Sequence, residues 1–255
     1  MKTVYGPVPS WRFGRSLGID PICSMEKTCT FDCVYCQLGK TKNKTAERRD
    51  HIDHGRFCEE LEKADKSRVD VITFSGTGEP TLNQRLGEMI EFAKLFGFPV
   101  VILTNSSLLH LREVRKAVSK ADIVAAKLDA SDERLFQKIN KPLDGIDFQS
   151  VIEGLKNLRA EFRGKLALQM MFIKANKKAA DQMADLAREI KVDEVQIDTP
   201  LRHSPIHPLS PEEINKIEKS FSGIPFISVY KKMKPHVVPF DIHETDIRRP
   251  GENYQ

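Results

Sequence analysis

The 255-residue sequence predicts an α/β fold, a partial (β/α)6 barrel with a C-terminal extension. Short β-branched runs alternate along the chain with longer amphipathic stretches at helical spacing, the mark of βα units around a parallel sheet. Six such units are found rather than eight, which implies an open barrel. The length suits one large domain, and 40 % hydrophobic residues are enough for its core.

The strands are expected at Leu17–Ile22, Val69–Ser75, Pro99–Thr104, Ile123–Leu128, Leu166–Ile173 and Val192–Asp198. Helices are expected between them at His51–Lys66, Asn83–Phe96, Leu108–Lys120, Phe148–Phe162 and Lys177–Ile190. A last helix over Pro211–Phe221 opens with Ser210 as N-cap, Pro211 in first position and Glu213 three residues after the cap. Leu201–Pro211, with three prolines and two histidines, reads as a loop across the barrel mouth. Residues 1–230 form the barrel in this reading, and 231–255 are a charged, proline-rich tail that is not a separate domain.

The bulk properties narrow the setting. No run of about 18 apolar residues is present, so no spanning helix and no membrane role are expected. The N-terminal Met-Lys-Thr-Val-Tyr lacks the apolar stretch of a signal peptide. Five cysteines, three of them in one loop, argue against a disulfide framework and for the reducing cytoplasm. A net charge of +4 permits a nucleic-acid partner without requiring one.

That loop, Cys29-Thr-Phe-Asp-Cys33-Val-Tyr35-Cys36, is the most informative segment. Iron–sulfur clusters are held by Cys thiolates, four for a closed [4Fe–4S] site. Three thiols leave one iron open to a small chelating molecule. Structural zinc instead asks for four nitrogen or sulfur ligands, usually as two paired clips, and a second clip is missing here.

The Cys-x3-Cys-x2-Cys spacing with an aromatic before the last cysteine resembles the signature of the radical S-adenosylmethionine (radical SAM) superfamily. Tyr5-Gly-Pro-Val-Pro-Ser10, Cys36-Gln37-Leu38-Gly39, Phe74-Ser75-Gly76-Thr77-Gly78-Glu79-Pro80-Thr81, Leu103-Thr104-Asn105 and Leu128-Asp129-Ala130 are similar to one branch of it, short iron–sulfur oxidoreductases often grouped with wyosine-forming tRNA enzymes. The resemblance covers roughly residues 5 to 220. It implies a radical SAM partial barrel, a [4Fe–4S] cluster on Cys29, Cys33 and Cys36, and S-adenosylmethionine as cosubstrate. It also implies a low-potential electron donor of the flavodoxin or ferredoxin type. The reaction would be reductive cleavage of S-adenosylmethionine to methionine and a 5′-deoxyadenosyl radical that takes hydrogen from a substrate. That substrate would be a tRNA base, a protein side chain or a small metabolite; a glycyl-radical activase and a non-catalytic electron carrier are the alternatives. The wyosine-forming enzymes need a second cluster, for which only Cys23 and Cys58 remain.

In α/β barrels function gathers where the βα loops converge, at the C-terminal ends of the strands. Gly76, Thr77, Gly78 and Glu79 end the second strand; they resemble the superfamily's Gly-Gly-Glu-Pro motif with Thr77 in place of its first glycine, which implies that Glu79 holds the methionyl amine. By the same resemblance Tyr35 and Gln37 flank the adenine, and Asn105, Asp129 and Ser131 face the ribose or methionyl carboxylate. The bare residues allow another account of Asn105 and Ser131, as caps and turns of the helices that follow. Lys127 shares strand parity with Asp129 and is the candidate catalytic residue in the lumen, where Gln169, Gln196 and Asp198 join it by the same parity; the opposite register sends it outward to solvent. Arg12 and Arg15, with aromatics between and beside them, and Arg248 and Arg249 in the tail are candidates to contact a nucleotide; solvated surface arginines are the alternative and the commoner case.

Overall fold

The computed structural model describes residues 1–252. Its strands are β1 (Val4–Ser10), β2 (Gly14–Ile19), β3 (Thr28–Cys29), β4 (Asn43–Lys44), β5 (Val71–Phe74), β6 (Val100–Thr104), β7 (Ile123–Lys127), β8 (Lys165–Met171), β9 (Glu194–Asp198) and β10 (Phe226–Ser228). Eight of them make one curled sheet in the order β1-β2-β5-β6-β7-β8-β9-β10, parallel throughout except for the antiparallel β1–β2 pair. The six expected strands, β2 and β5 to β9, are its centre, and the fold is the expected mixed α/β partial barrel. Among the described residues no helix is long and apolar enough to cross a membrane.

The helices are α1 (His54–Lys63), α2 (Leu86–Lys94), α3 (Arg112–Val118), α4 (Glu133–Ile139), α5 (Phe148–Glu161), α6 (Ala180–Ile190), α7 (Pro211–Ser220) and α8 (Ile242–Arg248). The capping box at Ser210 and Glu213 forms as read from the sequence. The core lies between the strands and the ring of helices, and β5 is buried along its whole length. Such a strand reads as an unbroken apolar run because both faces are covered.

Several elements depart from those expected, β3, β4 and the edge strand β10 among them. β1 was not expected, because Gly6, Pro7 and Pro9 interrupt it; it is the sheet's edge, the place where proline is tolerated. β2 starts and stops three residues early: the Asp20 carboxylate accepts from the backbone N–H groups of Ile22 and Cys23 and turns the chain out of the sheet. α4 is a two-turn helix capped by Asp132, which accepts from Leu135 N. α8 gives regular structure to a tail in which the sequence shows no period.

That tail runs along the open side of the barrel. Among the described residues β1 and β10 do not pair with each other. Phe240 N donates to Gly6 O at 2.8 Å, and α8 packs on β1. Arg248, 1 % exposed, donates to Asp20 Oδ2 at 3.0 Å, to Glu244 Oε2 at 2.6 Å and to Lys2 O at 2.6 Å.

Candidate active site

The loop after β2 carries the three cysteines to the mouth of the barrel. β3 and β4 brace its start as a short parallel ribbon, and Thr28 locks it to the turn after β5: Thr28 N donates to Thr77 O (3.2 Å) and Glu79 N to Thr28 O (3.1 Å). Gly78 makes this possible, since a Cβ there would overlap the Thr28 carbonyl oxygen. Past Cys33 the loop is held by Val34 N to Ile139 O (2.9 Å) and by Asp32, which accepts from Thr41 N (2.7 Å).

All three thiols face one cavity of about 270 Å³. Burial, followed by Glu79, pushes the Cys29 thiol up to about 12; burial, followed by Asp129, pushes Cys33 up to about 11. Asn105 Nδ2 donates to Cys29 Sγ and Asn140 Nδ2 to Cys33 Sγ, each at 3.4 Å. Lys27 reaches into the same space. Burial works against its ammonium, yet the three surrounding cysteines outweigh that and raise its pKa. Among the described residues no three His, Cys, Asp or Glu side chains converge on a single-ion site. A cubane takes one thiolate per iron and needs them spread around a common space. The donor set suits it: three thiols, amide N–H groups aimed at sulfur and a buried cation against a net anionic cluster.

Glu79, 2 % exposed, sits beside the thiols and lines the cavity. Its Oε1 accepts from Thr81 N (3.2 Å), Thr81 Oγ1 (2.7 Å) and Thr104 Oγ1 (2.6 Å), whereas Oε2 accepts only from Asn105 N (2.7 Å). Three of the four donors crowd Oε1, so Oε2, with about two lone-pair positions of its own and a single donor, keeps one in reserve. Burial still dominates and raises the Glu79 pKa despite these donors. A carboxylate in that state favours a neighbouring cation.

The structure brings Tyr35, Gln37, Gly76, Gly78, Glu79, Asn105 and Lys127 to this cavity with the thiols. Thr77, Asp129 and Ser131 do not line it. Thr77 turns its N–H and hydroxyl to Asp20 Oδ2, at 3.1 and 2.9 Å. The Asp129 carboxylate is consumed behind the cysteine loop by the Tyr35 hydroxyl, Asn140 Nδ2 (3.0 Å) and Met171 N (2.8 Å). Ser131 bonds only its neighbour Asp132, and Asp132 rather than Ser131 caps α4.

Lys127 takes the lumen register. Its Nζ stands 3.5 Å from Asp129 Oδ1 and 4.9 Å from the centre of the Tyr35 ring. Gln169 and Asp198 also line the cavity, joined by Gln169 Nε2 to Asp198 Oδ2 at 3.0 Å; Gln196 is buried and does not. Gln37 spans two segments: it donates to Arg248 O (2.9 Å) and accepts from Arg202 Nη1. Arg12 and Arg249 reach the cavity, while Arg15 pairs with Asp70 at the surface (2.6 Å). Burial, then repulsion from Arg249, lowers Arg202 to about 10.

Sequence reasoning passed over Lys27, Asn140, Asp20 and Arg202. Lys27, two residues before Cys29, carried a usable signal as a cation beside an anionic cluster. Asn140 and Arg202 carried none, because their partners lie more than 100 residues away in the chain.

The model of the radical SAM superfamily matches residues 25–187. The chain belongs to the radical SAM superfamily. It is 42 % identical over 80 % of its length to a UPF0026 protein of Synechocystis, covering 77 % of that relative. It is 34 % identical over 86 % of its length to a UPF0026 protein of Methanocaldococcus jannaschii, covering 70 % of it. Among solved structures it superposes on Streptococcus suis SuiB bound to its precursor peptide SuiA (TM-score 0.65, 17 % identity, 85 % of this chain and 49 % of that one). It superposes also on TYW1 with a lysine-pyruvate adduct bound (TM-score 0.63, 17 % identity, 83 % and 74 %). These likenesses establish the radical SAM partial barrel. This chain spans about half of SuiB and is a radical SAM enzyme.

Proposed function

We propose that this chain is a single-cluster radical initiator, holding one [4Fe–4S] cluster on Cys29, Cys33 and Cys36 and S-adenosylmethionine against it. When bound, the pair supplies reductive cleavage of S-adenosylmethionine to methionine and a 5′-deoxyadenosyl radical that takes a hydrogen atom from the substrate. The observation that carries this reading is the pairing of three converging thiols with a buried carboxylate that has an oxygen position to spare, since an electron carrier has no use for an amine-binding group.

Each neighbouring residue then has a task. Glu79 Oε2 accepts the methionyl ammonium, a charge-assisted bond that relieves the buried carboxylate. Gly76 lets the turn after β5 close on the Asp20 side chain, which any Cβ there would overlap. Asn105 and Asn140 orient the thiols through N–H···S bonds, and Lys27 offsets negative charge. Lys127, steadied by Asp129, presents an ammonium to a carbonyl or carboxylate of the substrate. A low-potential donor of the flavodoxin or ferredoxin type delivers the electron. A tRNA base, a protein side chain and a small metabolite are the substrate classes to test.

The test is anaerobic reconstitution with iron and sulfide, reduction with dithionite, and assay for 5′-deoxyadenosine from S-adenosylmethionine. We expect slow formation without substrate, and loss of both cluster and product in Cys29→Ala. A fully loaded cluster that neither binds nor cleaves S-adenosylmethionine would refute the reading.

A further inference from the structure

We propose that the side of this cavity facing the seam between β1 and β10 is a phosphate subsite, built from Arg12, Arg202 and Arg249, that takes a phosphate monoester on the substrate. Calling its ligand the substrate rests on the function proposed above; the anion binding itself does not.

Arg12 is the starting point. It sits in the turn between β1 and β2, lies beside the rings of Trp11 and Phe13 (5.7 and 5.4 Å to the centroids) and lines the cavity. Its Nε and Nη1 are sealed from solvent and have no hydrogen-bond partner among the described residues. Guanidinium nitrogens sealed from water without acceptors are costly, and buried polar groups are nearly always paired. Two aromatic neighbours supply no acceptor oxygen. Because the Arg12 side chain lines the cavity, an anion that enters beside it can supply an acceptor that the chain does not.

The neighbouring cations repeat the imbalance. Glu252 is one carboxylate shared by Arg202 (3.2 Å), Arg249 (2.8 Å) and Lys234 (2.9 Å), although Arg202 also donates to Gln37 Oε1 and Arg249 to Pro9 O (3.1 Å). Asp198, the other carboxylate on this side, already accepts from Gln169 Nε2 (3.0 Å) and Thr199 N (2.9 Å). Four cations (Arg12, Arg202, Arg249, Lys234) against two carboxylates (Asp198, Glu252) leave four minus two, a surplus of +2. A phosphate monoester carries about −1.5 to −2 near neutral pH. A carboxylate or a phosphodiester brings only about −1, which leaves half of the surplus uncompensated. The planar fork of arginine also matches phosphate oxygens in pairs.

Position supports the assignment. The thiols and Glu79 occupy the ends of β2 and β5, whereas Arg202 follows β9 at the other limb of the open barrel. A second cavity shares Leu201, Arg202, His203 and Lys234 with the first and continues along the tail, so a phosphate bound here lies on a path into the barrel. Gln37, next to Cys36, accepts from Arg202 and ties the subsite to the cysteine loop.

The experiment titrates inorganic phosphate into the reconstituted 255-residue chain, followed by calorimetry and by the fluorescence of Trp11, the chain's one tryptophan. We expect saturable phosphate binding, no response to acetate at matched ionic strength, and at least tenfold weaker phosphate affinity in Arg12→Gln and in Arg202→Gln. Arg12→Lys keeps the charge but loses the fork; its intermediate affinity guards against a variant that merely misfolds. Absent phosphate saturation, an equal response to acetate, or phosphate affinity unchanged in Arg12→Gln would each overturn the proposal. So would tighter binding of a single-stranded RNA without terminal phosphate, which would mark a reader of diester backbone. A loss of S-adenosylmethionine affinity in Arg12→Gln with phosphate binding intact would assign Arg12 to the cosubstrate and overturn it too. The 5′-deoxyadenosine assay on the same sample reports separately on the radical chemistry.

Discussion

Glu79→Gln separates a ligand-binding carboxylate from a structural one, because the structure sets two opposing effects on stability and only one on affinity. If the Gln carbonyl takes the Oε1 position, it keeps its three donors, and the amide nitrogen then faces the N–H of Asn105. One charge-assisted bond is lost and one buried donor is orphaned, a cost of about 1–3 kcal/mol. Against this, the variant removes a buried charge that burial already disfavours, as the raised Glu79 pKa records. The two roughly cancel in the cofactor-free chain, and we expect Tm to move by no more than about 4 °C at a usual 2–4 °C per kcal/mol. Affinity has no such compensation: loss of the ammonium contact costs about 1.5–3 kcal/mol, or about 10- to 150-fold weaker S-adenosylmethionine binding by calorimetry. The pH dependence follows with a definite sign. A carboxyl whose folded pKa is raised contributes stability that is complete below its ordinary value of 4.5 and is lost as pH rises through the folded value. The wild-type chain should therefore gain stability relative to Glu79→Gln as pH falls toward 4.5. Unchanged affinity with an intact cluster, or a large fall in Tm with unchanged affinity, would refute the argument.

Two further changes test the scaffold. Gly78→Ala drives a methyl group into the Thr28 carbonyl, a backbone atom that cannot swing aside, and should pry the cysteine loop from the Glu79 turn; we expect a folded chain with sharply reduced iron on reconstitution, and full iron loading would show that the contact is dispensable. Arg248→Met leaves the buried carboxylate of Asp20 without its cation. Breaking one side of a buried pair costs about 3–5 kcal/mol, so thermal denaturation should shift down by on the order of 10 °C, and a shift under about 2 °C would mean that solvent reaches the pair.

What the sequence disclosed tracks the range of the interactions. The six central strands were legible because covered parallel strands are written as apolar runs, and the cysteine loop because its ligands lie within eight residues. Strand parity worked for Lys127 and failed for Asp129 for one reason: β7 ends at Lys127, and beyond it the alternation no longer holds. The Asp129 carboxylate is then captured by Met171 N and Asn140, groups that no local pattern announces. Ser131 looked like a cap because serine often is one, but Asp132 stands one residue nearer the helix and takes the role. β1 and α8 were hidden differently. One is broken up by glycine and prolines, and the other is a polar helix whose key contact joins Arg248 to Asp20 across 228 residues.

Asp20 also shows why the tail belongs to the site although the superfamily match ends at residue 187. Its carboxylate accepts from Ile22 and Cys23 as the chain enters the cysteine loop, from Thr77 in the Glu79 turn, and from Arg248 in α8. One buried group thus fixes the start of the cysteine loop, the carboxylate turn and the tail relative to one another. Gln37 adds a second tie, from the residue after Cys36 to the Arg248 carbonyl. The cysteine loop and Glu79 arise within the matched core, but Lys234 and Arg249, cations of the seam, come from the tail, with Glu252 as their shared partner. A tail that shifted or frayed would therefore disturb two things together, the alignment of the turns that flank the thiols and the charge of the cavity wall. In this chain the part with the least sequence pattern supplies Lys234, Arg248 and Arg249 to the wall of the cavity that holds the three thiols.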